Sequence, residues 1–247
     1  MGVEIEGAAR QGPAALGRNL TYAMLDAVGR EIVTGGYDGR SFPTEAELAK
    51  QHAVSRSVTR EAVKMLTAKG LLTARPRKGT TVQPSSSWNL FDPDVLRWLL
   101  ERKFSLRLLR QFSELRIAIE PGAAALAAQA ADEAGIAAIK AGFVRMEAAE
   151  AGDDDPLEAD IAFHIAILNA SANPFYMQFR DLVATALHTS IRFTNRFKGH
   201  TASLPAHGAV LAAVEARDAD AARTAMAAII SDVMVLISDA EGAAPPA

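Results

Sequence analysis

The sequence predicts a mainly α-helical protein, with an N-terminal winged helix-turn-helix followed by an all-helical antiparallel bundle. Three observations support this prediction. Three helix patterns and a basic hairpin pattern precede residue 84, a Pro- and Ser-rich stretch follows them, and Ala-rich helical periodicity without a convincing strand pattern dominates from residue 105 onward. We therefore expect two domains, residues 16–84 and 105–240, joined by a linker at 85–104.

The composition is that of a folded protein. The chain has 247 residues, 49% of them hydrophobic, which is enough for a sizeable core. Cysteine is absent, and this excludes disulfides, thiolate zinc sites and cysteine nucleophiles. The N-terminus "MGVEIEG" is acidic and lacks a following apolar segment, and no uninterrupted apolar run looks long enough to span a bilayer. We therefore expect a cytoplasmic protein with no membrane partner.

Charge is distributed unevenly along the chain. The net charge is −3, but residues 1–84 carry 12 Lys/Arg against 8 Asp/Glu, whereas residues 85–247 carry 14 against 21. Residues 53–84 contain seven basic residues and a single acid, Glu61. This division predicts a basic module that binds a polyanion, joined to an acidic module with a different role.

Two helices are expected before residue 52. The first has apolar residues at helical spacing within 18–34, namely Leu20, Met24, Leu25, Val28 and Ile32. The Gly-rich stretch "TGGYDG" ends it. The second is a short helix in "FPTEAELAKQHAV", where Thr44 and Glu47 have the spacing of a capping box.

A third helix, with Ser55 as its cap, is expected in "SRSVTREAVKML" and ends near Lys69-Gly70. Its apolar face is formed by Val58, Ala62, Val63 and Leu66. A basic, hydroxyl-rich face remains, comprising Arg56, Ser57, Thr59, Arg60 and Lys64. After this helix, "LLTARPRKGTTV" predicts two short strands, 71–74 and 80–82, joined by a basic turn.

Helix, capped helix, turn, helix and basic hairpin together predict a winged helix-turn-helix. Its third helix would enter a major groove, about 12 Å wide, where Arg56 and Arg60 suit guanine because a guanidinium can donate two hydrogen bonds to one base edge. The expected DNA-binding residues are Ser55, Arg56, Ser57, Thr59, Arg60, Lys64, Arg77, Lys78 and Gly79, the last three in the wing. The alternative is an ordinary solvated amphipathic helix.

The linker and the bundle follow. The linker contains both tryptophans, Trp88 and Trp98, and we expect it to dock apolar side chains on one or both domains. The expected bundle helices are 105–131, 133–150, 156–171, 174–197, 205–217 and 219–239. Asp155-Pro156 and Asn173-Pro174 mark helix starts, because each pairs a capping residue with Pro at the first helical position.

With these segments in view, the chain resembles the GntR family of bacterial transcription regulators from about residue 18 to residue 237. "FPTEAELAKQHAVSRSVTREAVKMLTAKGLLTARPRKGTTV" is similar to the DNA-binding region of that family. "LRIAIEPGAAALAA", "DIAFHIAIL" and "AHGAVLAAVEARDADAA" resemble the helical effector domain, the FCD domain, of its FadR-type branch. The linker "WNLFDPDVLRWLLE" is most similar to that of members that respond to sugar acids.

The resemblance implies a homodimeric regulator that binds double-stranded operator DNA. It implies a repressor of sugar-acid, galactonate-like, catabolic genes, released by a small carboxylic acid, and leaves open a regulator that responds to another organic acid. One departure concerns Ala46, since many FadR-type members have a basic residue at this position. One DNA contact is therefore expected to be missing.

Asp160 and His164 are four residues apart, so both side chains project from one helical face and could share a divalent ion. An ordinary hydrogen-bonded pair is the alternative. By resemblance, His207 occupies a third position of the family's metal site of one Asp and three His, and Ile229 replaces the fourth. Zinc is the expected ion, with positions left open for an effector's oxygens, although the two histidines could instead bind the effector directly.

Arg116 and Glu120 are also four residues apart, and a simple ion pair is one interpretation. By resemblance, Arg116 faces the effector cavity, and its guanidinium suits a carboxylate because it donates two parallel hydrogen bonds. The expected effector-binding residues are thus Arg116, Asp160, His164 and His207. Two other classes stay open: a metal-dependent hydrolase that uses Asp160, His164 and His207, and a structural nucleoid-type protein that binds DNA without a ligand.

Overall fold

The computed structural model describes residues 13–75, 79–103, 105–197 and 203–243. The chain divides into two compact units, with the division between Arg102 and Lys103. The predicted linker 85–104 therefore lies almost wholly within the first unit.

The first unit is a three-helix module with a two-stranded wing and one further helix. Its elements are α1 (Pro13–Val33), α2 (Glu45–Gln51), α3 (Arg56–Ala68), β1 (Leu72–Arg75), β2 (Gly79–Val82), a 3-10 turn (Ser85–Ser87) and α4 (Pro93–Leu99). Helix α3 packs against both α1 and α2. Ala62, Val63 and Leu66 form its buried stripe, as the sequence periodicity predicts.

Local sequence explains where the helices of this unit begin. The capping box of α2 is present, because the Thr44 hydroxyl accepts from the Glu47 N–H while the Glu47 carboxylate accepts from the Thr44 N–H. Ser55 caps α3 by accepting a hydrogen bond from the Val58 N–H at 3.3 Å. These caps place the first turn of α3 directly after the turn that follows α2.

The wing is an antiparallel pair that runs from Leu72 opposite Val82 to Arg75 opposite Gly79. Gly70 joins α3 to this pair with a φ of +76°, and a Cβ at this position would lie 2.2 Å from the Ser87 carbonyl oxygen. A glycine is therefore required here on two grounds, the left-handed backbone and the close approach of another segment.

The segment after the wing is fixed to the rest of the first unit. Trp98 is fully buried, and its indole N–H donates to the Asp26 carboxylate of α1 at 2.9 Å. Lys69, which directly follows α3, donates to Asp92 at 2.7 Å and lies 2.8 Å from Asp94. The end of α3 is thus held against the start of α4.

The second unit is all-helical in its described part. Its helices are α5 (Leu106–Ala130), α6 (Glu133–Ala151), α7 (Pro156–Ala170), α8 (Pro174–Met177), α9 (Arg180–Phe197), α10 (Leu204–Glu215) and α11 (Ala219–Ala243). Helix α7 is central, since it packs against α5, α6 and α9. Gly142 of α6 permits close packing on α7, because a Cβ there would lie 2.8 Å from the Phe163 Cα.

The predicted fold class is confirmed, and the predicted helices agree with the observed ones except at 174–197. That segment is two helices, because the N–H groups of Gln178 and Phe179 bond to Phe175 and Tyr176, three residues back, and so end the first turn. Periodicity could not reveal this break, because the apolar spacing continues through it.

Helix α11 passes a test of length and composition for a membrane-spanning helix. Its stretch Ala219–Gly242 is long and apolar enough to cross a bilayer by length and composition, although charged residues interrupt its apolar run. In the second unit, however, Ala222, Met226 and Ile230 of this helix are fully buried in the core, whereas Arg223 and Asp232 are exposed. Two exposed charges are costly in lipid, so this pattern favours a bundle helix.

Candidate functional site

The exposed face of α3 carries most of the residues predicted to contact DNA. Arg56, Ser57, Arg60 and Lys64 are all exposed along the helix. Arg60 is 65% exposed, and its Nε lies 3.6 Å from a Glu45 carboxylate oxygen of α2. At this exposure the ion pair is weak, so the guanidinium is available to another partner.

Two of the predicted DNA contacts have structural roles. Thr59 has no exposed surface, and its hydroxyl donates to the Ser55 carbonyl at 3.1 Å. We therefore remove Thr59 from the predicted DNA contacts, because a fully buried side chain cannot reach a base edge. The Ser55 hydroxyl is exposed but already accepts from the Val58 N–H as the helix cap.

Gly79 begins the second strand of the wing with a φ of +77°, and open space surrounds the position of its absent Cβ. Backbone could therefore approach a phosphate closely here. The other predicted wing contacts, Arg77 and Lys78, lie outside the described residues.

A second candidate site lies inside the second unit. It is a cluster of five buried polar side chains, namely Arg116 and Glu120 from α5, Asp160 and His164 from α7, and His207 from α10. The predicted effector-binding residues are thus brought together from three helices. Glu120 is an additional member whose contact with the histidines was not predicted.

The hydrogen bonds of His207 fix which of its nitrogens faces the cluster. Its Nδ1 lies 2.8 Å from the carbonyl of Ser203, the residue that precedes α10. A carbonyl can only accept, so Nδ1 carries the proton in a neutral imidazole. The Nε2 lone pair therefore points at Asp160 Oδ1, 3.1 Å away.

His164 is oriented in the same way by a carboxylate. Its Nδ1 donates to Glu120 Oε2, so that Nε2 carries the lone pair and faces the interior of the cluster. This Nε2 lies 3.7 Å from Asp160 Oδ1 and 3.4 Å from His207 Nε2. Three lone pairs converge on one point.

The converging atoms of Asp160, His164 and His207 could hold a cation. Asp160 Oδ1 is buried and has no hydrogen-bond partner among the described residues. Its two nearest nitrogens present lone pairs, so no hydrogen is available to it from them. Ligand atoms on a tetrahedral zinc with bonds of about 2.0–2.1 Å lie roughly 3.3 Å apart. The observed separations of 3.1, 3.4 and 3.7 Å approximate one face of such a tetrahedron.

Charge in the cluster is consistent with ionised acids. Burial alone would raise the pKa of Asp160, but His207 and His164, in their protonated forms, together with the charge of Arg116, hold it below its usual value. Burial would also raise the pKa of Glu120, but Arg116 and a protonated His164 lower it to about 2 through their charges and hydrogen bonds. Both acids therefore carry charge at neutral pH.

Arg116 lies beside this potential ligand set. Its Nε donates to Glu120 Oε1, and its Nη2 lies 3.4 Å from Glu120 Oε2 and 3.5 Å from His164 Nε2. The predicted ion pair with Glu120 is therefore present, and the Nη1 edge of the guanidinium is not used in these contacts.

An aromatic ring lies against the cluster. The Phe163 ring contacts both imidazoles edge-on, with centroid distances of 5.9 Å to His164 and 5.2 Å to His207. Ile229, at the position where the fourth histidine was expected, is partly buried and packs against the hydrophobic core. Among the described residues, the candidate metal site therefore has three side-chain ligands, Asp160, His164 and His207.

Glu120 and the Ser203 carbonyl were missed as partners of the histidines. The only signal for Glu120 was its four-residue spacing from Arg116, which predicts an ion pair and nothing more. Its contact with His164 joins residues 44 apart, so it depends on how α5 packs against α7.

Comparison with known families and proteins agrees with the division of the chain into two units. The FCD domain model matches residues 111–232, and the model described as "Bacterial regulatory proteins, gntR family" matches residues 25–82. An uncharacterized HTH-type transcriptional regulator, YieP of Escherichia coli, is 35% identical over 224 residues, covering 86% of this chain and 93% of that protein.

A second relative is the galactonate operon transcriptional repressor of Escherichia coli, which is 34% identical over 218 residues, covering 86% of this chain and 94% of that protein. Among solved structures, McbR/YncC of E. coli aligns over 90% of this chain and 98% of that chain, with a TM-score of 0.50 and 18% identity. That likeness concerns the fold alone.

Proposed function

The chain belongs to the GntR family of bacterial regulatory proteins and carries an FCD domain, and from that premise we propose that it represses sugar-acid catabolic genes until a small carboxylic acid releases it. It is a DNA-binding transcription regulator, and its family consists of regulators and not enzymes. One observation carries the proposal: the buried Arg, Asp and His cluster of the second unit accompanies an exposed basic helix in the first.

DNA binding is assigned to the first unit. Arg56 and Arg60 on the exposed face of α3 would read base edges, whereas Ser57 and Lys64 would contact phosphates. Arg77, Lys78 and Gly79 of the wing would contact the backbone or the minor groove. Because one recognition helix reads only a few base pairs, we propose that a homodimer binds a pseudo-palindromic operator in the cytoplasm.

The effector site is assigned to the buried cluster. Asp160, His164 and His207 fit a divalent ion, with zinc favoured by one carboxylate and two imidazole donors. When bound, the ion supplies positive charge and open positions for the oxygens of a ligand. The Nη1 edge of Arg116 would donate to the effector carboxylate, which is the interaction that suits a guanidinium best.

The sugar-acid class comes from similarity. The galactonate operon repressor matches over nearly the whole of both chains, and a monocarboxylic sugar acid suits the combination of Arg116 with an oxygen-binding cation. A hydrolase using the same three ligands has less support, because the basic first unit matches the DNA-binding region of a regulator family.

Effector binding can release the operator only if the effector prefers an arrangement that binds DNA poorly. The coupling must then be reciprocal, so operator DNA should weaken effector binding by the same factor that the effector weakens DNA binding. We propose the segment 88–100 as the element that carries the change, since it follows the wing directly and its Asp92 holds the end of α3 through Lys69.

The decisive experiment is a thermal-shift screen of aldonic and uronic acids, each measured with and without a strong chelator. A ligand that binds only the folded state raises the melting temperature, by an amount that grows with concentration above its dissociation constant. Hits are then tested for release of the operator fragment. A screen with no hits, or hits that leave the operator complex intact, would contradict the proposed function.

A further inference from the structure

Glu120 has contacts that an ordinary ion pair does not need. It is fully buried, and its carboxylate accepts from Arg116 through one oxygen and from His164 Nδ1 through the other. The oxygen that accepts from His164 also lies 3.4 Å from Arg116 Nη2. One carboxylate therefore touches both parts of the proposed effector site, the guanidinium and a potential metal ligand.

We propose that Glu120 is a positioning residue, which sets the tautomer of His164 and the orientation of Arg116 at the same time. The inference deepens the proposed function and rests on it. A specific consequence follows: metal affinity and carboxylate recognition both depend on Glu120, a side chain that would contact neither the metal ion nor the effector.

The tautomer of His164 is fixed by the position of its single N–H proton. A neutral imidazole has one N–H, and if this is on Nδ1 then Nε2 must carry the lone pair. Glu120 holds the proton on Nδ1, and so directs the lone pair to the point where Asp160 Oδ1 and His207 Nε2 meet. Such outer partners usually set the metal affinity of a histidine, and their loss typically weakens binding 10–100-fold.

Glu120 also fixes the direction of the Arg116 donors. It occupies the Nε side of the guanidinium, so the Nη1 edge, which has no hydrogen-bond partner among the described residues, is presented in a fixed direction. Arg116 is almost wholly buried, and an unpaired guanidinium at this depth would be very unfavourable. Glu120 therefore both neutralises Arg116 and determines which edge remains for a second carboxylate.

Stability alone is a weak explanation of this arrangement. Buried ion pairs often contribute no more than apolar residues of similar size, because removing two charges from water offsets their attraction. In addition, the ion pair between Arg116 and Glu120 would form within α5 without a contact to His164, which lies 44 residues further along the chain. The three-way contact is explained if the carboxylate orients two functional groups.

The first test is Glu120→Gln in the full chain, with zinc affinity measured by competition with a chromophoric chelator. Glutamine is nearly isosteric, but one of its two terminal groups is a donor NH₂, so it cannot accept from Arg116 Nε and His164 Nδ1 through separate oxygens as the carboxylate does. We expect zinc to bind 10–100-fold more weakly. Zinc affinity within twofold of the parent would overturn the proposal.

The matched control is Glu241→Gln, because Glu241 of α11 pairs with Arg110 of α5 within the same unit but away from the cluster. It makes the same chemical change in another Arg–Glu pair, and we expect zinc affinity equal to that of the parent. Equal weakening in both variants would show a general effect of losing an ion pair, and would also overturn the proposal.

The second test is read on the parent chain itself. Nitrogen-15 NMR of the metal-free parent distinguishes the two tautomers of each histidine, and the His164 signals are identified by their loss in His164→Asn. We expect the Nδ1–H tautomer in the parent, and its loss in Glu120→Gln if that variant folds. An Nε2–H tautomer in the parent would overturn the role of Glu120. Absence of zinc binding by the parent would contradict the metal centre, while the tautomer would still decide the role of Glu120.

Discussion

At the scale of single residues, we expect Arg60 of α3 to read bases and Lys78 of the wing to attract DNA of any sequence. We predict that Arg60→Ala weakens binding to the specific operator by roughly 1–3 kcal/mol, because a guanidinium that bridges a base edge is lost. Lys78→Ala should weaken specific and non-specific binding alike, since a wing lysine would contact phosphate. Electrophoretic mobility titrations on operator and scrambled DNA compare them. An equal loss for Arg60→Ala on both sequences would contradict base reading.

The Arg116 guanidinium is the group that we expect to bind the effector carboxylate. Arg116→Ala would leave the buried Glu120 carboxylate poorly compensated, which costs several kcal/mol, so we choose Arg116→Lys. Lysine keeps the charge but loses the fork, and we expect operator release to require at least about tenfold more effector. Release is followed by fluorescence anisotropy of a labelled operator.

Arg110→Lys is the control, because Arg110 pairs with Glu241 outside the cluster. It should respond to effector like the parent chain. An unchanged effector requirement in Arg116→Lys would show that the guanidinium fork does not hold the carboxylate.

Sequence reasoning identified four of the five cluster residues. Asp160 and His164 were found by their helical spacing, and His207 and Arg116 by family resemblance. Glu120 was seen only as a partner of Arg116, because no local pattern reports a contact between helices. Thr59 was misjudged because its hydroxyl was taken as a sign of exposure, although its spacing from Ala62, Val63 and Leu66 places it within the buried stripe.

At the scale of elements, the contact between α1 and α4 depends on one carboxylate. Asp26 accepts from the Trp98 indole at 2.9 Å and from Arg97 at 2.6 Å, and it lies 2.8 Å from Arg30. Burial alone would raise the pKa of Asp26, but these hydrogen bonds and the two arginine charges lower it below its usual value.

A carboxyl whose pKa is lower in the folded state adds stability above its unfolded pKa of about 3.9, and this is lost as the pH falls through its folded pKa. We predict that Asp26→Asn reduces the free energy of unfolding of the first unit by about 1–2 kcal/mol at pH 7, and by much less near pH 2. Both tryptophans, Trp88 and Trp98, lie in this unit, so urea titrations followed by their fluorescence report on it.

Asp38→Asn is the control, because Asp38 is exposed in the turn after α1. It should leave the unfolding curve unchanged at both pH values. An equal loss for Asp26→Asn at pH 7 and at pH 2 would contradict the electrostatic account of the contact.

The element boundaries show what local sequence can specify. The starts of α2, α3 and α7 were predicted because a side-chain cap is a local hydrogen bond between residues two or three apart. The break between α8 and α9 was not, because nothing in its apolar spacing distinguishes three-residue from four-residue hydrogen bonding.

At the scale of the whole molecule, we predict a homodimer that occupies a pseudo-palindromic operator. Two-fold symmetry in the protein requires the same symmetry in its DNA, and half-sites would lie about one helical turn apart or a multiple of it. Sedimentation of the complex gives its stoichiometry. A single chain bound at full affinity to one half-site would contradict this prediction.

The buried cluster also sets a balance of formal charge. With both imidazoles neutral, Arg116, Glu120 and Asp160 sum to one negative charge, which a divalent ion would change to one positive charge. A ligand with a single negative charge then makes the assembly neutral, whereas a ligand with two negative charges leaves a net charge in a buried site. The site should therefore select aldonic over aldaric acids of equal carbon number. Thermal shifts measured in parallel with the two classes would reveal this selectivity by valence.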